Sequence, residues 1–190
     1  MTLRFEPTGQ PGAFVVESDA FSDARGSFAR VFSLAEFEAA GLETRWRQIS
    51  ASRNVSKGTL RGLHFQRPPH AETKLVRCER GRIYDVIVDL RGDSPTYGSW
   101  FAVELSGEDA RSVYVPQGFA HGFLTLEDNS VVGYHISADF AAGAAGGLRW
   151  DDPAVAVDWP FDPSVISDKD RALPGLAELG RDLFVAAAST

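Results

Sequence analysis

A histidine and an arginine are separated by only two residues in a short, mostly apolar segment of the chain. The segment reads Gly58-Thr59-Leu60-Arg61-Gly62-Leu63-His64-Phe65-Gln66. Strand alternation would place Leu60, Gly62, His64 and Gln66 on one face and Thr59, Arg61, Leu63 and Phe65 on the other. An imidazole that faces an enclosed space can serve as a general base near pH 7. The ordinary alternative for a lone histidine is a buried structural residue, so the role of His64 depends on its neighbours in space.

The elements that must position this histidine are mostly short strands. The strongest strand signal covers residues 82–91, which are rich in β-branched side chains with polar residues at every second place. Further strands are predicted at residues 13–17, 27–32, 99–105, 112–115 and 131–137, with turn signals between them. Short strands at this spacing are typical of an all-β sandwich or barrel.

A few short helices interrupt the strand pattern. Ser33 and Glu36 are spaced as a capping box, Phe32 and Phe37 as a hydrophobic staple, and Gly41 as the end of the same helix. Residues 141–147 resemble a flexible linker, and residues 176–188 could form a short helix. We expect one domain over residues 1–190, with its core at about 14–174 and a tail at 175–190.

Composition excludes several classes of function. The 190 residues carry a net charge of −7, which argues against a nucleic acid or an anionic membrane as partner. The single cysteine, Cys78, rules out an intramolecular disulfide and suits a reducing compartment. The sequence contains no apolar run of signal-peptide or membrane-spanning length. We therefore expect a cytoplasmic protein with no membrane partner.

Two segments resemble the two motifs of the cupin double-stranded β-helix. They are Gly58 with His64 six residues later, and Pro116-x-Gly118-x-x-His121. Metal-binding cupins generally have a His-x-His pair and an acid in the first motif. Here Gln66 occupies the second histidine position and Glu72 is the remaining acid. Two imidazoles with only a glutamine and one glutamate beside them make a weak site for a transition metal. We therefore expect a pocket that holds no metal.

A longer set of motifs is more specific, and it spans about residues 14–174. In chain order the motifs are Asp23-x-Arg25-Gly26-x-Phe28, Leu60 to Gln66, Lys74-Leu75-Val76-Arg77, Asp85-Val86-x-Val88-Asp89-Leu90-Arg91, Ser94-Pro95-Thr96, Gly118 to Phe123, Trp150-x-Asp152-Pro153 and Ser167-x-Lys169-Asp170. Together they resemble the dTDP-4-dehydrorhamnose 3,5-epimerase family. The resemblance implies a cupin jelly-roll and an enzyme, without a cofactor, that inverts carbons beside the ketone of a nucleotide-linked 4-keto-6-deoxyhexose.

The resemblance also assigns catalytic roles. His64 is the expected base, and Asp170 is the carboxylate that orients it, with Asp168 as the alternative. Tyr134 is the expected acid on the opposite face of the sugar. Lys74 is expected beside the ketone oxygen, where its charge would stabilise the enolate.

Substrate contacts follow from the same resemblance. Arg61 and Arg25 are expected to bind the diphosphate, and Phe21 and Phe28 to flank the sugar or the base. Gln48 belongs to a segment that the family associates with nucleotide contacts. His121, paired with Asp85, is expected either to touch the sugar or to serve a structural role. Because the family exchanges its N-terminal strands between subunits, the resemblance implies a homodimer.

Two positions depart from the family pattern. Arg30 replaces an acid of better-known members, and Ser50 replaces the asparagine of a Gln-x-Asn motif. Exchanging an acceptor for a cation changes which nucleotide groups can be bound, so nucleotide specificity stays open. The alternatives to a 3,5-epimerase are a single-centre 3- or 5-epimerase of a related deoxysugar, a cupin that binds sugar nucleotides without catalysis, and a metal-dependent cupin enzyme.

Overall fold

A computed structural model describes residues 1–184 of the chain. Its strands are β1 (Leu3–Pro7), β2 (Phe14–Ser18), β3 (Phe21–Asp23), β4 (Gly26–Phe28), β5 (Gln48–Asn54), β6 (Thr59–Gln66), β7 (Lys74–Arg80), β8 (Arg82–Asp89), β9 (Trp100–Ser106), β10 (Arg111–Val115), β11 (Phe119–Thr125), β12 (Ser130–Ile136), β13 (Ala145–Gly147) and β14 (Val165–Ile166). Its helices are α1 (Leu34–Ala39), α2 (Asp168–Arg171), α3 (Leu176–Leu179) and a 3-10 helix at Arg181–Phe184. The prediction of an all-β chain with a few short helices is confirmed.

The strands form two main sheets that pack face to face. The first sheet has the order β1-β2-β10-β7-β12-β5, and the second has the order β13-β6-β11-β8-β9, with β14 added to β6 in parallel. Val76 and Val113 of the first sheet share one buried apolar cluster with Ile83, Ile87 and Phe123 of the second. Burial of these side chains between the sheets is the main source of the stability of the sandwich.

Helix α1 covers the outer face of the first sheet. Phe37 is fully buried and clusters with Leu75 and Tyr114. The predicted staple is confirmed, because the rings of Phe32 and Phe37 lie 4.9 Å apart between centroids. Gly41 follows the helix with a φ of +69°, a conformation that glycine adopts at little cost.

The predicted capping box is wrong, and its acid serves another element. Ser33 is the N-cap residue, but its side chain forms no capping hydrogen bond. The Glu36 carboxylate instead accepts the Leu3 N–H at 2.9 Å and pairs with Arg30 at 3.0 Å. Strand β1, which the sequence analysis did not predict, supplies this competing donor and ties the N-terminus to α1.

A bulge in β6 breaks the predicted alternation. Between the facing positions of β6 and β11, three steps along β6 match two along β11. Gly62 lies in the bulge with a φ of +135°, and a Cβ there would come within 2.6 Å of the Gly122 Cα. The prediction that Arg61 and His64 face opposite sides is therefore wrong. Both line the open space between the two sheets, whereas Leu63 is buried on the other side of its sheet.

Three weaker predictions are also corrected by the structure. The strand predicted at residues 27–32 is confined to Gly26–Phe28 and pairs with Phe21–Asp23 as a separate hairpin. The linker-like residues 141–147 include β13, which pairs with β6. The helix predicted at residues 176–188 stops at Leu179, and residues 185–190 lie outside the described part.

Within residues 1–184, no helix is both long and apolar enough to cross a membrane.

Candidate active site

A cavity of about 440 Å³ opens between the two sheets. Side chains from β5, β6, β7, β11, β12 and α2 form its wall. It brings together six residues that the sequence analysis singled out, namely His64, Asp170, Tyr134, Lys74, Arg61 and His121. Residues that are far apart in the sequence, from 61 to 170, therefore meet at one place.

His64 is held by a buried carboxylate. Its Nε2 lies 2.7 Å from Asp170 Oδ1, while Asp170 Oδ2 accepts the Gly62 N–H at 3.3 Å. Ser167 begins α2 and accepts the Asp170 N–H through its hydroxyl at 3.1 Å, which fixes the helix that carries the acid. Asp168 is exposed and makes no contact of this kind. Of the two candidate partners, the structure therefore places Asp170 against His64.

The hydrogen bond to Asp170 determines which nitrogen of His64 can act as a base. A carboxylate only accepts hydrogen bonds, so Nε2 carries the proton and Nδ1 keeps its lone pair. Burial disfavours the Asp170 carboxylate, but the hydrogen bonds from His64 and the Gly62 amide outweigh burial and lower the pKa of Asp170 below its ordinary value. Asp170 is thus an anion at neutral pH.

Tyr134 lies on the opposite wall, because β12 belongs to the first sheet and β6 to the second. Burial of the ring, with a further contribution from the charge of Asp85, raises the pKa of the Tyr134 hydroxyl far above its ordinary value. The phenol is therefore protonated at neutral pH. An imidazole with a free lone pair on Nδ1 and a protonated phenol face each other across the cavity.

Lys74 places a cation between these walls. Its Nζ donates to the His64 carbonyl oxygen at 3.1 Å and lies 3.1 Å from Glu72 Oε1. The Lys74 side chain is only 11% exposed, and the Glu72 side chain 7%. The ion pair offsets the cost of burying the ammonium group, so a positive charge is maintained beside the cavity.

His121 forms a second histidine–carboxylate pair. Its Nε2 lies 2.9 Å from Asp85 Oδ2, and both side chains are buried. His121 is directly opposite His64 on the neighbouring strand, and its ring packs edge-on against Tyr134 with 6.1 Å between centroids. The expected pairing with Asp85 is present, and it supports the wall beside both His64 and Tyr134.

A family model described as dTDP-4-dehydrorhamnose 3,5-epimerase matches residues 7–178. The chain belongs to this family. The resemblance inferred from the motifs is thereby confirmed over nearly the whole chain.

Relatives agree in sequence and in fold. The dTDP-4-dehydrorhamnose 3,5-epimerase of Methanothermobacter thermautotrophicus is 45% identical over 179 residues, which are 93% of this chain and 96% of the relative. The crystal structure of the Bacillus anthracis enzyme, with TDP and PPi bound, has a TM-score of 0.88 at 40% identity and covers 92% of this chain and 99% of that chain. A Legionella pneumophila 3,5-epimerase in complex with dTDP-4-keto-L-rhamnose has a TM-score of 0.91 at 33% identity. The match covers 99% of this chain and 100% of that chain. The predicted cupin jelly-roll is confirmed.

Three of the expected substrate-binding residues of this family member lie outside the cavity of their own chain. Phe21 and Phe28 are 63% and 67% exposed on the β3–β4 hairpin. Arg25, in the turn of this hairpin, pairs with Asp23 at 2.6 Å. None of the three lines the cavity that holds His64.

The two departures from the family pattern lie in different places. Ser50 lines the cavity. Arg30 does not, because it is bound to Glu36 and to the Met1 carbonyl oxygen, each at 3.0 Å. Gln48 lines an adjoining cavity of about 380 Å³ and donates its side-chain amide to the Ala138 carbonyl oxygen at 2.9 Å.

Gln66, at the second ligand position of the cupin motif, stabilises a loop. Its Nε2 donates to the carbonyl oxygens of His70 at 3.0 Å and Asp139 at 3.2 Å, and its Oε1 accepts the Ala141 N–H at 2.7 Å. All of these bonds run to the backbone. In residues 1–184, no three histidine, cysteine or carboxylate side chains are grouped in a way that could hold a metal ion.

Residues that the sequence analysis missed also shape the site. Ser52 and Lys169 line the cavity, and Asn54 holds Arg61 through its side-chain oxygen at 2.7 Å. The available signal was the run of polar residues at alternate positions 50, 52 and 54, just before the motif that contains His64. Such a period of two predicts a polar face on a strand.

Proposed function

We propose that this chain inverts C3 and C5 of dTDP-4-keto-6-deoxyglucose to give dTDP-4-keto-L-rhamnose. The observation that carries the proposal is that His64, on one sheet and bound to Asp170 of α2, faces the protonated Tyr134 on the other sheet. Inversion beside a ketone needs a base on one face of the sugar and an acid on the other. Binding alone would need neither.

The chemistry follows from the placement of the three polar groups. His64 Nδ1 removes the proton α to the C4 ketone, and the electron pair moves onto the ketone oxygen as an enolate. The Lys74 ammonium stabilises this oxyanion. Tyr134 then donates its proton to the same carbon from the opposite face, which inverts the centre. His64 then releases its extra proton to solvent, and the Tyr134 phenolate takes a proton from solvent, which restores both groups.

One oxyanion site can serve both inversions. C3 and C5 are both bonded to C4, so each deprotonation places its negative charge on the same oxygen. A rotation of the sugar that exchanges C3 and C5 in front of His64 keeps that oxygen beside Lys74. One cation at that oxygen, Lys74, is therefore compatible with two centres.

We further propose that the chain is a homodimer in which the β3–β4 hairpin binds substrate in the partner's cavity. Its support is the exposure of Phe21 and Phe28 and their separation from the cavity of the same chain. Co-expression of His64→Ala and Arg25→Ala chains tests this. If Arg25 acts in the partner's site, a mixed dimer has one intact site and regains activity; if Arg25 acts in its own chain, no mixture is active.

Product analysis tests the proposed reaction. We expect turnover of dTDP-4-keto-6-deoxyglucose, with NMR couplings that show inversion at C3 and C5, and no turnover by His64→Ala. Inversion at one carbon would identify a single-centre epimerase. Binding of the nucleotide sugar without inversion by the wild-type protein would favour a non-catalytic cupin, and full activity of His64→Ala would rule out His64 as the base.

A further inference from the structure

Asn54 is a buried amide at the end of β5, only 3% exposed. Its Nδ2 donates to the Ser130 carbonyl oxygen at 3.2 Å and to the Ser52 carbonyl oxygen at 3.3 Å. Both partners are acceptors, so the NH2 group must face them. The orientation of the amide is fixed, and its Oδ1 is directed the other way.

That oxygen accepts two hydrogen bonds. Arg61 donates Nε at 2.7 Å, and the Ser52 hydroxyl donates at 3.2 Å. A bond through Nε orients the guanidinium plane and leaves the Nη1 and Nη2 fork for another acceptor. Arg61 lines the cavity, whereas Asn54 is behind it.

The choice of an amide has an electrostatic consequence. Arg91 is held by the carboxylate of Asp89 at 2.7 Å and Arg149 by that of Asp151 at 2.8 Å, so each is neutralised by its partner. Among residues 1–184, no carboxylate forms an ion pair with Arg61. The Asn54 amide therefore fixes the position of Arg61 and leaves its full charge to attract an anion.

We propose that Asn54 is a positioning residue that orients Arg61 for the substrate diphosphate. The proposal rests on the proposed function, because a dTDP-sugar substrate supplies the diphosphate that Arg61 is expected to bind. It assigns to Asn54 a role in nucleotide affinity that needs no contact with the substrate.

Calorimetric binding of dTDP and of thymidine tests the proposal in four proteins: wild type, Asn54→Ala, Arg61→Ala and the double variant. We expect Asn54→Ala to weaken dTDP binding about tenfold and Arg61→Ala to weaken it about a hundredfold. In the Arg61→Ala background, Asn54→Ala should have no further effect. Thymidine has no phosphate, so its affinity should be unchanged by either substitution. In turnover, Asn54→Ala should raise KM about tenfold with kcat within twofold of wild type.

The outcomes separate a positioning role from a structural one. Equal weakening of dTDP binding by Asn54→Ala in both backgrounds, or weakened binding of thymidine, would overturn the proposal because Asn54 would then act on the fold. Unchanged dTDP binding by Arg61→Ala would overturn it too, and would remove Arg61 from the proposed diphosphate site while leaving the catalytic residues untouched.

A second variant keeps the test decisive if Asn54→Ala does not fold. Asn54→Ser leaves a hydroxyl that can donate to a buried backbone carbonyl oxygen, but its side chain is too short to hold Arg61 Nε. We expect dTDP binding at least threefold weaker than wild type, with thymidine binding unchanged. Wild-type affinity for dTDP in Asn54→Ser would overturn the claim that Asn54 positions Arg61.

Discussion

Replacement of Asp170 by asparagine should disable the base without removing it. In the native site, Oδ2 accepts the Gly62 N–H and Oδ1 accepts from His64 Nε2. An asparagine can satisfy Gly62 only with its oxygen, so its NH2 group would face Nε2. The imidazole would then accept at Nε2 and carry its proton on Nδ1. The nitrogen that faces the sugar would have no lone pair.

The size of the effect follows from this tautomer change. A histidine held in the wrong tautomer by an acid-to-amide substitution loses about 10⁴-fold in kcat, which corresponds to roughly 5.4 kcal/mol in the activation barrier. Binding should be preserved, because the Asp170 carboxylate is buried against His64 and the substitution keeps its volume. We expect the dTDP affinity of Asp170→Asn to stay within threefold of wild type.

Asp168→Asn is the matched control, since it makes the same chemical change in the same helix at an exposed position. Turnover of the 4-keto sugar, followed by NMR, should be within twofold of wild type for Asp168→Asn. An Asp170→Asn variant that retains more than a tenth of wild-type kcat would refute the reasoning. A loss of kcat in Asp168→Asn that is larger than the loss in Asp170→Asn would refute it as well.

Two further outcomes are expected from the bulge and from the buried phenol. Gly62→Ala should lower the free energy of unfolding by about 3 kcal/mol or more, because a Cβ would lie 2.6 Å from the Gly122 Cα at a φ of +135°. Gly143 has open space around it, so the free energy of unfolding of Gly143→Ala, measured by chemical denaturation, should stay within about 0.5 kcal/mol of wild type. Equal effects of the two substitutions would contradict the packing argument. The pKa of Tyr134 in the folded protein is raised above its ordinary value of 10.0, so the unfolded chain releases the phenol proton at a lower pH than the folded protein. The stability that the protonated phenol contributes is therefore fully present below about pH 10 and is lost as the pH rises above about 10. Tyr134→Phe should therefore lose less stability than wild type between about pH 9 and 11, and parallel curves would show that the phenol titrates normally.

Much of the fold was predictable because its signals are local. Period-two patterns located the central strands, and the spacing of Phe32 and Phe37 located α1. The competing partners of Glu36 were not predictable, since the Leu3 N–H is donated by a residue 33 positions away. Capping rules describe one helix end and contain no information about a strand that packs against it.

The site was predictable in composition but not in geometry. Strand alternation predicts the inward face of His64 correctly, but it predicts the wrong face for Arg61 because it assumes a strand without a bulge. The choice between Asp168 and Asp170 depends on how α2 docks against β6, and one turn of helix carries no signal for it. Asn54 was missed for a similar reason, because its partners become neighbours only when β5, β6 and β12 assemble.

Solvent deuterium incorporation tests the central claim most directly, namely that His64 and Tyr134 exchange protons at carbons beside the ketone. The protein is incubated in D2O with dTDP-4-keto-6-deoxyglucose, and the sugar is analysed by mass spectrometry and NMR. We expect deuterium at both C3 and C5 with the wild-type protein and none above background with His64→Ala. Absence of deuterium at both carbons with the wild-type protein, while dTDP-4-keto-6-deoxyglucose is bound, would contradict the account.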